Sequence, residues 1–165
     1  MYFELIDSFI VPADVQRCWR FFGSAENLPL ITPRWLRFQL AMTAPYPRIE
    51  QDTLLDYTIR WCGVPIRWRT RIIDWDPPRT FIDLQVRGPY ALWHHQHSFK
   101  PMDGGVECRD RVIYKVPIPI VGRIVNALIL KKQLIEIFQF RRQAIAQNLG
   151  GMQPLQEAPV IRPTT

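Results

Sequence analysis

The sequence contains little cysteine. Only three of its 165 residues are cysteines, Cys18, Cys62 and Cys108, and no two of them form a CxxC pair. A disulfide framework or a cysteine-based zinc site requires more cysteines at closer spacing. We therefore expect reduced thiols, which is typical of the cytoplasm.

Long apolar runs are also missing. Arg123 interrupts the longest candidate, near Ile118 to Leu130, before it reaches the roughly 18 residues that a membrane-spanning helix requires. The apolar N-terminal run contains Glu4 and Asp7 and has no basic leader, unlike a secretory signal. The sequence predicts a soluble cytoplasmic protein with no transmembrane segment.

Lysine is scarce, and arginine supplies most of the positive charge. The 21 basic residues exceed the 15 acidic ones, which gives a net charge of +6. This charge is compatible with an anionic partner but does not require one. No glycine-rich phosphate-binding motif, nucleophile elbow or other catalytic motif occurs, so nothing of that kind supports an enzyme.

The length and the 47% hydrophobic content fit one domain with a single core. Tyr2 to Val11 reads as a strand that ends at Pro12. Apolar residues from Asp14 to Phe22 then recur at helical spacing, and a short helical turn is predicted around Glu26 to Ile31. We further predict a strand from Trp35 to Met42.

The middle of the chain alternates between apolar and polar residues, a pattern typical of half-buried antiparallel strands. With the two strands above, seven strands are predicted, the remaining five being Leu54 to Trp61, Ile66 to Ile72, Phe81 to Arg87, Leu92 to Phe99 and Val106 to Val116.

A long helix is predicted from about Ile120 to Leu149, ended by Gly150 and Gly151. Residues 1–149 then form a single domain. Residues 150–165 include three prolines and show no periodicity, so we predict a flexible C-terminal tail.

Four segments carry a resemblance that covers Phe3 to about Leu149: FIVPADVQRCWRFF, NLPLITPRWLRF, FIDLQVRGPYALWHHQHSF and CRDRVIYKVP. The chain resembles a stand-alone bacterial ligand-binding member of the START-like SRPBCC superfamily, which includes polyketide cyclases, dehydrases and lipid-transport proteins. The resemblance implies an α+β helix-grip fold, in which a curved seven-stranded antiparallel sheet wraps around the long C-terminal helix and two short helices follow strand 1. It also implies an internal cavity for a small hydrophobic or amphipathic molecule such as a lipid, polyketide, isoprenoid or aromatic.

The alternation along the strands places large aromatic and polar side chains together on the inner face. A plain core needs few polar groups, whereas a ligand pocket combines an apolar wall with a few convergent ones. The candidate ligand-binding residues are Tyr57, Trp68, Phe81, Asp83, Gln85, Trp93, His95, His97, Phe99, Asp110, Tyr114 and Leu128, the last of these at the cavity mouth.

His95 could act as a general base with Asp83 or Asp110, as in a cyclase or dehydratase. Two histidines alone are too few for a metal site, and imidazoles bonded to these aspartates explain the pattern equally well. We therefore expect neither a metal nor a cofactor, and ligand binding is favoured over catalysis.

The outer face of the same strands is basic. Arg60, Arg67, Arg69 and Arg71 should point outward, which is compatible with a solvated surface or with a dock for an anionic surface or an acidic protein. Nucleic acid is the weaker candidate because the aromatic residues lie on the opposite face.

Overall fold

The computed structural model describes residues 1–46, 48–61, 63–117, 129–151 and 157–164. In this part of the chain there are eight strands and two α-helices: β1 (Tyr2–Val11), α1 (Val15–Phe22), β2 (Gln39–Leu40), β3 (Leu54–Trp61), β4 (Val64–Asp76), β5 (Thr80–Arg87), β6 (Leu92–Met102), β7 (Gly105–Lys115), α2 (Lys131–Leu149) and β8 (Val160–Thr164). Two short 3-10 turns, Ala25–Asn27 and Arg34–Leu36, connect α1 to β2.

All eight strands belong to one antiparallel sheet with the order β2-β3-β4-β5-β6-β7-β1-β8. Helix α2 packs across its inner face. The predicted α+β helix-grip architecture is confirmed, with eight strands in place of the seven expected.

The predicted strand from Trp35 to Met42 is largely wrong. Residues Arg34–Leu36 form a 3-10 turn, and Arg37 adopts a left-handed conformation with φ of 45°. That conformation breaks an extended backbone, so only Gln39–Leu40 pairs with β3.

The predicted tail contains a strand that the local sequence did not reveal. Val160–Thr164 pairs antiparallel with the free edge of β1, from Ile6 opposite Val160 to Tyr2 opposite Thr164. The side chain of Ile161 is buried against the core. The strand depends on a partner near the other end of the chain, which a periodicity pattern cannot detect.

The described part of the C-terminal helix is α2, which ends at Gly150 in a left-handed conformation, as predicted. Residues 118–128, which include the predicted beginning of this helix and Leu128, lie outside the described residues. No described helix is both long and apolar enough to span a membrane.

The buried side chains form two hydrophobic clusters, at opposite ends of the same elements. The first cluster surrounds α1 and includes Trp19, Phe22 and Phe99. The second includes Trp93 and Tyr114 and lies under the N-terminal half of α2.

Between the two clusters, charged and polar side chains cross the middle of the molecule, and we call this group the polar belt: Asp7, Asp83, His95, His97, Asp110, Arg141 and Arg142. On β1, for example, Phe3 and Leu5 belong to one cluster, Phe9 and Val11 to the other, and Asp7 lies between them. The candidate functional site is one end of this belt.

Candidate functional site

A cavity of about 210 Å³ lies between the sheet and α2. Its wall is mainly apolar, with contributions from Trp68, Phe81, Trp93 and Phe138. At one corner, however, the lining consists of polar side chains: Asp83, His95, His97 and Arg141. The cavity therefore has an apolar body and one polar corner.

A second cavity of about 230 Å³ adjoins the first. The two share lining residues on the sheet, on α2 and in connecting segments, namely Leu36, Ile59, Trp68, Tyr90, Leu134 and Ile137. Each alone is smaller than a typical ligand pocket, but together they fall within the usual range of roughly 300–1,000 Å³.

The register of three neighbouring strands brings the polar corner together. Asp83 on β5 lies opposite His95 on β6, and His97 lies opposite Asp110 on β7. Successive side chains of a strand point to opposite faces, so His95 and His97 share the inner face. The pairing of β6 with both neighbours runs without a bulge through these positions, and the predicted orientation of the two histidines is confirmed.

Each of the two carboxylates faces both imidazoles. Asp110 Oδ1 is 2.8 Å from His95 Nε2 and 2.7 Å from His97 Nδ1. On the opposite side, Asp83 Oδ2 is 2.8 Å from His97 Nε2 and 3.5 Å from His95 Nδ1. The two rings therefore lie between two carboxylates, with ring centroids 3.8 Å apart.

Arg141 of α2 supplies the positive charge nearest to this group. Its Nε is 3.4 Å from Asp110 Oδ2, and its Nη2 is 3.5 Å from His97 Nδ1. The side chain is only 13% exposed and also lines the cavity. An oxygen atom of a molecule in the cavity could therefore accept a hydrogen bond from the guanidinium of Arg141, beside the imidazoles.

The surroundings shift the two histidines in opposite directions. Burial lowers the pKa of His95, and the nearby charge of His97 lowers it further. Burial also acts to lower the pKa of His97, but Asp110 and Asp83 outweigh this effect and raise its pKa. The pair therefore favours a neutral His95 beside a protonated His97.

Both aspartates remain ionised. Burial acts to raise the pKa of Asp110, but Arg141 and the two histidines outweigh it and hold that pKa well below its ordinary value. The same opposing effects act on Asp83, and its pKa is also lowered. Two carboxylates then face one imidazolium and one guanidinium, so the group is electrically balanced.

Aromatic side chains fix the imidazole rings in place. The ring of Phe81 stacks on His97 with centroids 4.1 Å apart, and Phe138 of α2 lies 5.6 Å from His95. Such packing restricts the rings to one orientation.

The structure places seven of the predicted ligand-binding residues on the cavity wall: Tyr57, Trp68, Phe81, Asp83, Trp93, His95 and His97. Asp110 is only 2% exposed and lies behind the histidines.

Three other predicted residues lie elsewhere among the described residues. Gln85 binds the backbone of Tyr90 and so stabilises the turn after β5. Phe99 packs against Trp19 and Phe22 in the first cluster. Tyr114 is fully buried in the second cluster, against Phe3 and Trp93. None of the three is among the lining residues of the two cavities described above, because strand parity fixes the face of a residue but not its distance from the void.

Sequence reasoning missed the arginines of α2. Arg141 and Arg142 lie outside the apolar stripe of the helix, a position that normally predicts exposure to solvent, yet Arg142 is buried and pairs with Asp7. The charged Asp7 within an otherwise apolar strand was the available signal, because a buried carboxylate requires a partner.

The basic outer face exists as predicted, but it is partly neutralised. Arg60, Arg67, Arg69 and Arg71 are all exposed. Arg69 binds Asp56 at 2.8 Å and Arg71 binds Asp52 at 2.6 Å.

Comparisons with known proteins identify the fold. No protein-family profile and no curated protein matches the chain. Solved structures do match: a norcoclaurine synthase of Thalictrum flavum has a TM-score of 0.67 and 17% identity over 90% of this chain and 94% of its own. The di-domain ARO/CYC StfQ from the steffimycin biosynthetic pathway has a TM-score of 0.64 and 15% identity, covering 90% of this chain and 52% of its own.

The protein TTHA0849 from Thermus thermophilus has a TM-score of 0.65 and 18% identity over 88% of this chain and 96% of its own. At these identities the likeness identifies the fold and not the activity. The chain shares the helix-grip fold of these structures, which is the fold that its sequence resemblance implies.

Proposed function

We propose that this protein binds a small amphipathic molecule in the two adjoining cavities between the sheet and α2. The observation that carries the proposal is the division of the wall into an apolar body and one polar corner. Aromatic side chains would cover the apolar part of the ligand, and Asp83, His95, His97 and Arg141 would orient its polar end.

The apolar wall supplies the affinity. Each 100 Å² of apolar ligand surface removed from water contributes about 2.5 kcal/mol before the cost of association. The rings of Trp68, Tyr90 and Trp93 pack edge to face or tilted against one another, which gives the wall a fixed shape. A planar or ring-containing ligand fits such a wall well.

The polar corner supplies the orientation. Arg141 is a donor, whereas the carboxylate of Asp83 is an acceptor. A ligand with a carbonyl, enol or carboxylate oxygen near a hydroxyl group would satisfy both kinds of partner. The class therefore includes polyketide-like and phenolic molecules.

A second function is favoured by one specific observation. His95 Nε2 is 2.8 Å from Asp110 Oδ1, and the His95 side chain lines the cavity. An imidazole in contact with a carboxylate could move a proton at a bound carbonyl compound, as a cyclase or dehydratase requires. For this alternative, His95→Ala should abolish turnover and leave binding mostly intact.

Native mass spectrometry of gently purified protein, followed by denaturing extraction, tests the first function. We expect a discrete small-molecule adduct, or else saturable binding of the amphipathic dye 1-anilinonaphthalene-8-sulfonate to the ligand-free protein. Ile137 lines both cavities, so Ile137→Trp should fill the void and reduce dye binding at least tenfold.

Ile135→Trp is the matched control, since Ile135 lies on the same helix and packs against the second cluster, outside the lining of either cavity. It should bind the dye like the wild type. Equal binding by the wild type and Ile137→Trp would place the dye elsewhere and contradict the proposal.

A further inference from the structure

Asp83, His95 and His97 together have the donor set of a metal centre. One ligand atom of each side chain lies within 4.8 Å of the ligand atoms of the other two. Asp83 is therefore the third ligand, which the sequence alone could not identify. The relevant atoms are Asp83 Oδ2, His95 Nδ1 and His97 Nε2, and the carboxylate oxygen is 3.5 Å and 2.8 Å from the two nitrogens. Two imidazoles and a carboxylate are typical ligands of Zn²⁺.

The two distances from the carboxylate oxygen are compatible with an ion shared with both imidazoles. With bonds of about 2.0–2.1 Å and tetrahedral angles, ligand atoms lie roughly 3.3 Å apart. The two measured separations fall on either side of this value. Small side-chain rotations would therefore complete the site without moving the strands.

Asp110 prepares both histidines for this role. Its Oδ1 faces His95 Nε2 and His97 Nδ1, the two nitrogens that point away from Asp83. An ionised carboxylate only accepts hydrogen bonds, so both of these nitrogens carry their hydrogens. The neutral His95 then has a lone pair on Nδ1, the nitrogen that faces Asp83, whereas the protonated His97 must release its Nε2 proton to solvent when an ion binds. With that proton gone, both histidines have the arrangement of carboxylate–histidine–zinc triads.

The three ligands border the cavity, so an ion that they hold would have its open position on the cavity side. Asp83, His95 and His97 all line it, whereas Asp110 lies behind them. Three protein ligands with one position left open are typical of catalytic rather than structural zinc sites.

We propose that Asp83, His95 and His97 bind a divalent transition-metal ion, Zn²⁺ best, whose fourth position faces the cavity. Two carboxylates, one divalent ion and Arg141 leave one net positive charge. The open position therefore favours an anionic oxygen, such as a phenolate, enolate or carboxylate at the polar end of a ligand. The ion would bind whether or not the cavity takes an apolar molecule, so its test uses metal alone.

The test begins with protein prepared without a histidine tag, stripped with a chelator and titrated with Co²⁺. We expect one equivalent to bind, with the intense visible absorption of tetrahedral Co²⁺, and Zn²⁺ to displace it. Azide should perturb the spectrum because the fourth position is open. Mg²⁺, which prefers oxygen ligands, should not compete.

Variants locate the site. Asp83→Asn and His97→Gln should weaken Co²⁺ binding at least 100-fold. His94→Gln is the matched control, because His94 lies on the same strand with its side chain on the opposite face, and it should bind like the wild type. Asp110→Asn should retain one equivalent with affinity reduced about 10–100-fold.

Wild-type protein that retains no stoichiometric Co²⁺ or Zn²⁺ would overturn the proposal, and this result does not depend on whether any variant folds. Equal affinity in the wild type and Asp83→Asn would overturn it as well, as would loss of binding in His94→Gln. None of these results affects the dye-binding test, so the two proposals fail separately.

Discussion

Asp7 and Asp110 lie opposite each other on β1 and β7, and each pairs with one of two consecutive arginines of α2. Their protonation differs nevertheless. Burial raises the pKa of Asp7 to about 6 against the effect of Arg142, whereas the pKa of Asp110 is held well below its ordinary value. The pKa values of these neighbouring carboxylates are therefore shifted in opposite directions.

This difference predicts a pH-dependent effect of Asp7→Asn. An aspartate whose pKa is higher in the folded protein binds more protons there than in the unfolded chain, so its contribution to stability is present at low pH and decreases as the pH rises from about 4 to about 6. Relative to Asp7→Asn, the wild type should lose about 3 kcal/mol of unfolding free energy across this interval. Urea unfolding of both proteins at pH 4 to 8 measures the difference.

Asp74→Asn is the control for that experiment, because it removes a carboxylate at an exposed position of the same sheet. A constant difference between Asp7→Asn and the wild type at all pH values would contradict the assigned pKa.

For individual residues, the sequence predicted which side chains of the sheet face inward, but it did not predict this for the arginines of α2. Alternation placed Asp83, His95, His97 and Asp110 on one face, because strand geometry relates position to face directly. Arg141 was missed because an arginine beside an apolar stripe normally lies in solvent, and only the buried carboxylate on β7 reverses that preference.

Among the elements, β8 shows how a strand can depend on a distant partner. It adds Ile161 to the second cluster beside Phe3 and Leu5, and Arg162 pairs with the buried Glu4. Neither contact can be read from the sequence of the strand itself. The same limitation explains the error at β2, where Arg37 interrupts a segment with strand-like composition.

The contribution of β8 is tested by a pair of adjacent substitutions. Ile161→Ala should lower the free energy of unfolding by about 2–4 kcal/mol, because it leaves a cavity among buried side chains. Val160→Ala should change it by less than about 0.5 kcal/mol, since that side chain is 54% exposed. Denaturant titration measures both, and equal effects would mean that β8 does not pack on the core.

For the whole molecule, the two hydrophobic clusters are coupled through shared elements. Along α2, Leu134 and Phe138 belong to one cluster and Ile145 and Leu149 to the other. Strands β1, β6 and β7 likewise contribute to both. We therefore expect the clusters to unfold together, although the polar belt separates them.

Substitutions in either cluster test this coupling. Phe99→Ala in the first cluster and Leu134→Ala in the second should each cost about 3–5 kcal/mol and lower Tm by about 2–4 °C for each kcal/mol. Tryptophan fluorescence and far-UV circular dichroism should give coincident transitions in both variants. Val86→Ala, at an exposed position of β5, serves as the control.

Separate transitions, with only one of them shifted by each variant, would show that the clusters unfold independently. The helix-grip architecture could be predicted from the order of the elements and the resemblance, but the coupling could not, because it depends on which end of each element packs against which cluster.

The outer strands of the sheet have a consequence for the behaviour of the protein at high concentration. An exposed, regular sheet edge is a template on which a second chain can add a strand and begin to aggregate. Here one edge is β2, only two residues long, and the other is β8, in which Pro163 has no N–H to donate. The short β2 and the proline in β8 therefore limit the hydrogen-bonding groups that these two strands can offer to a second molecule.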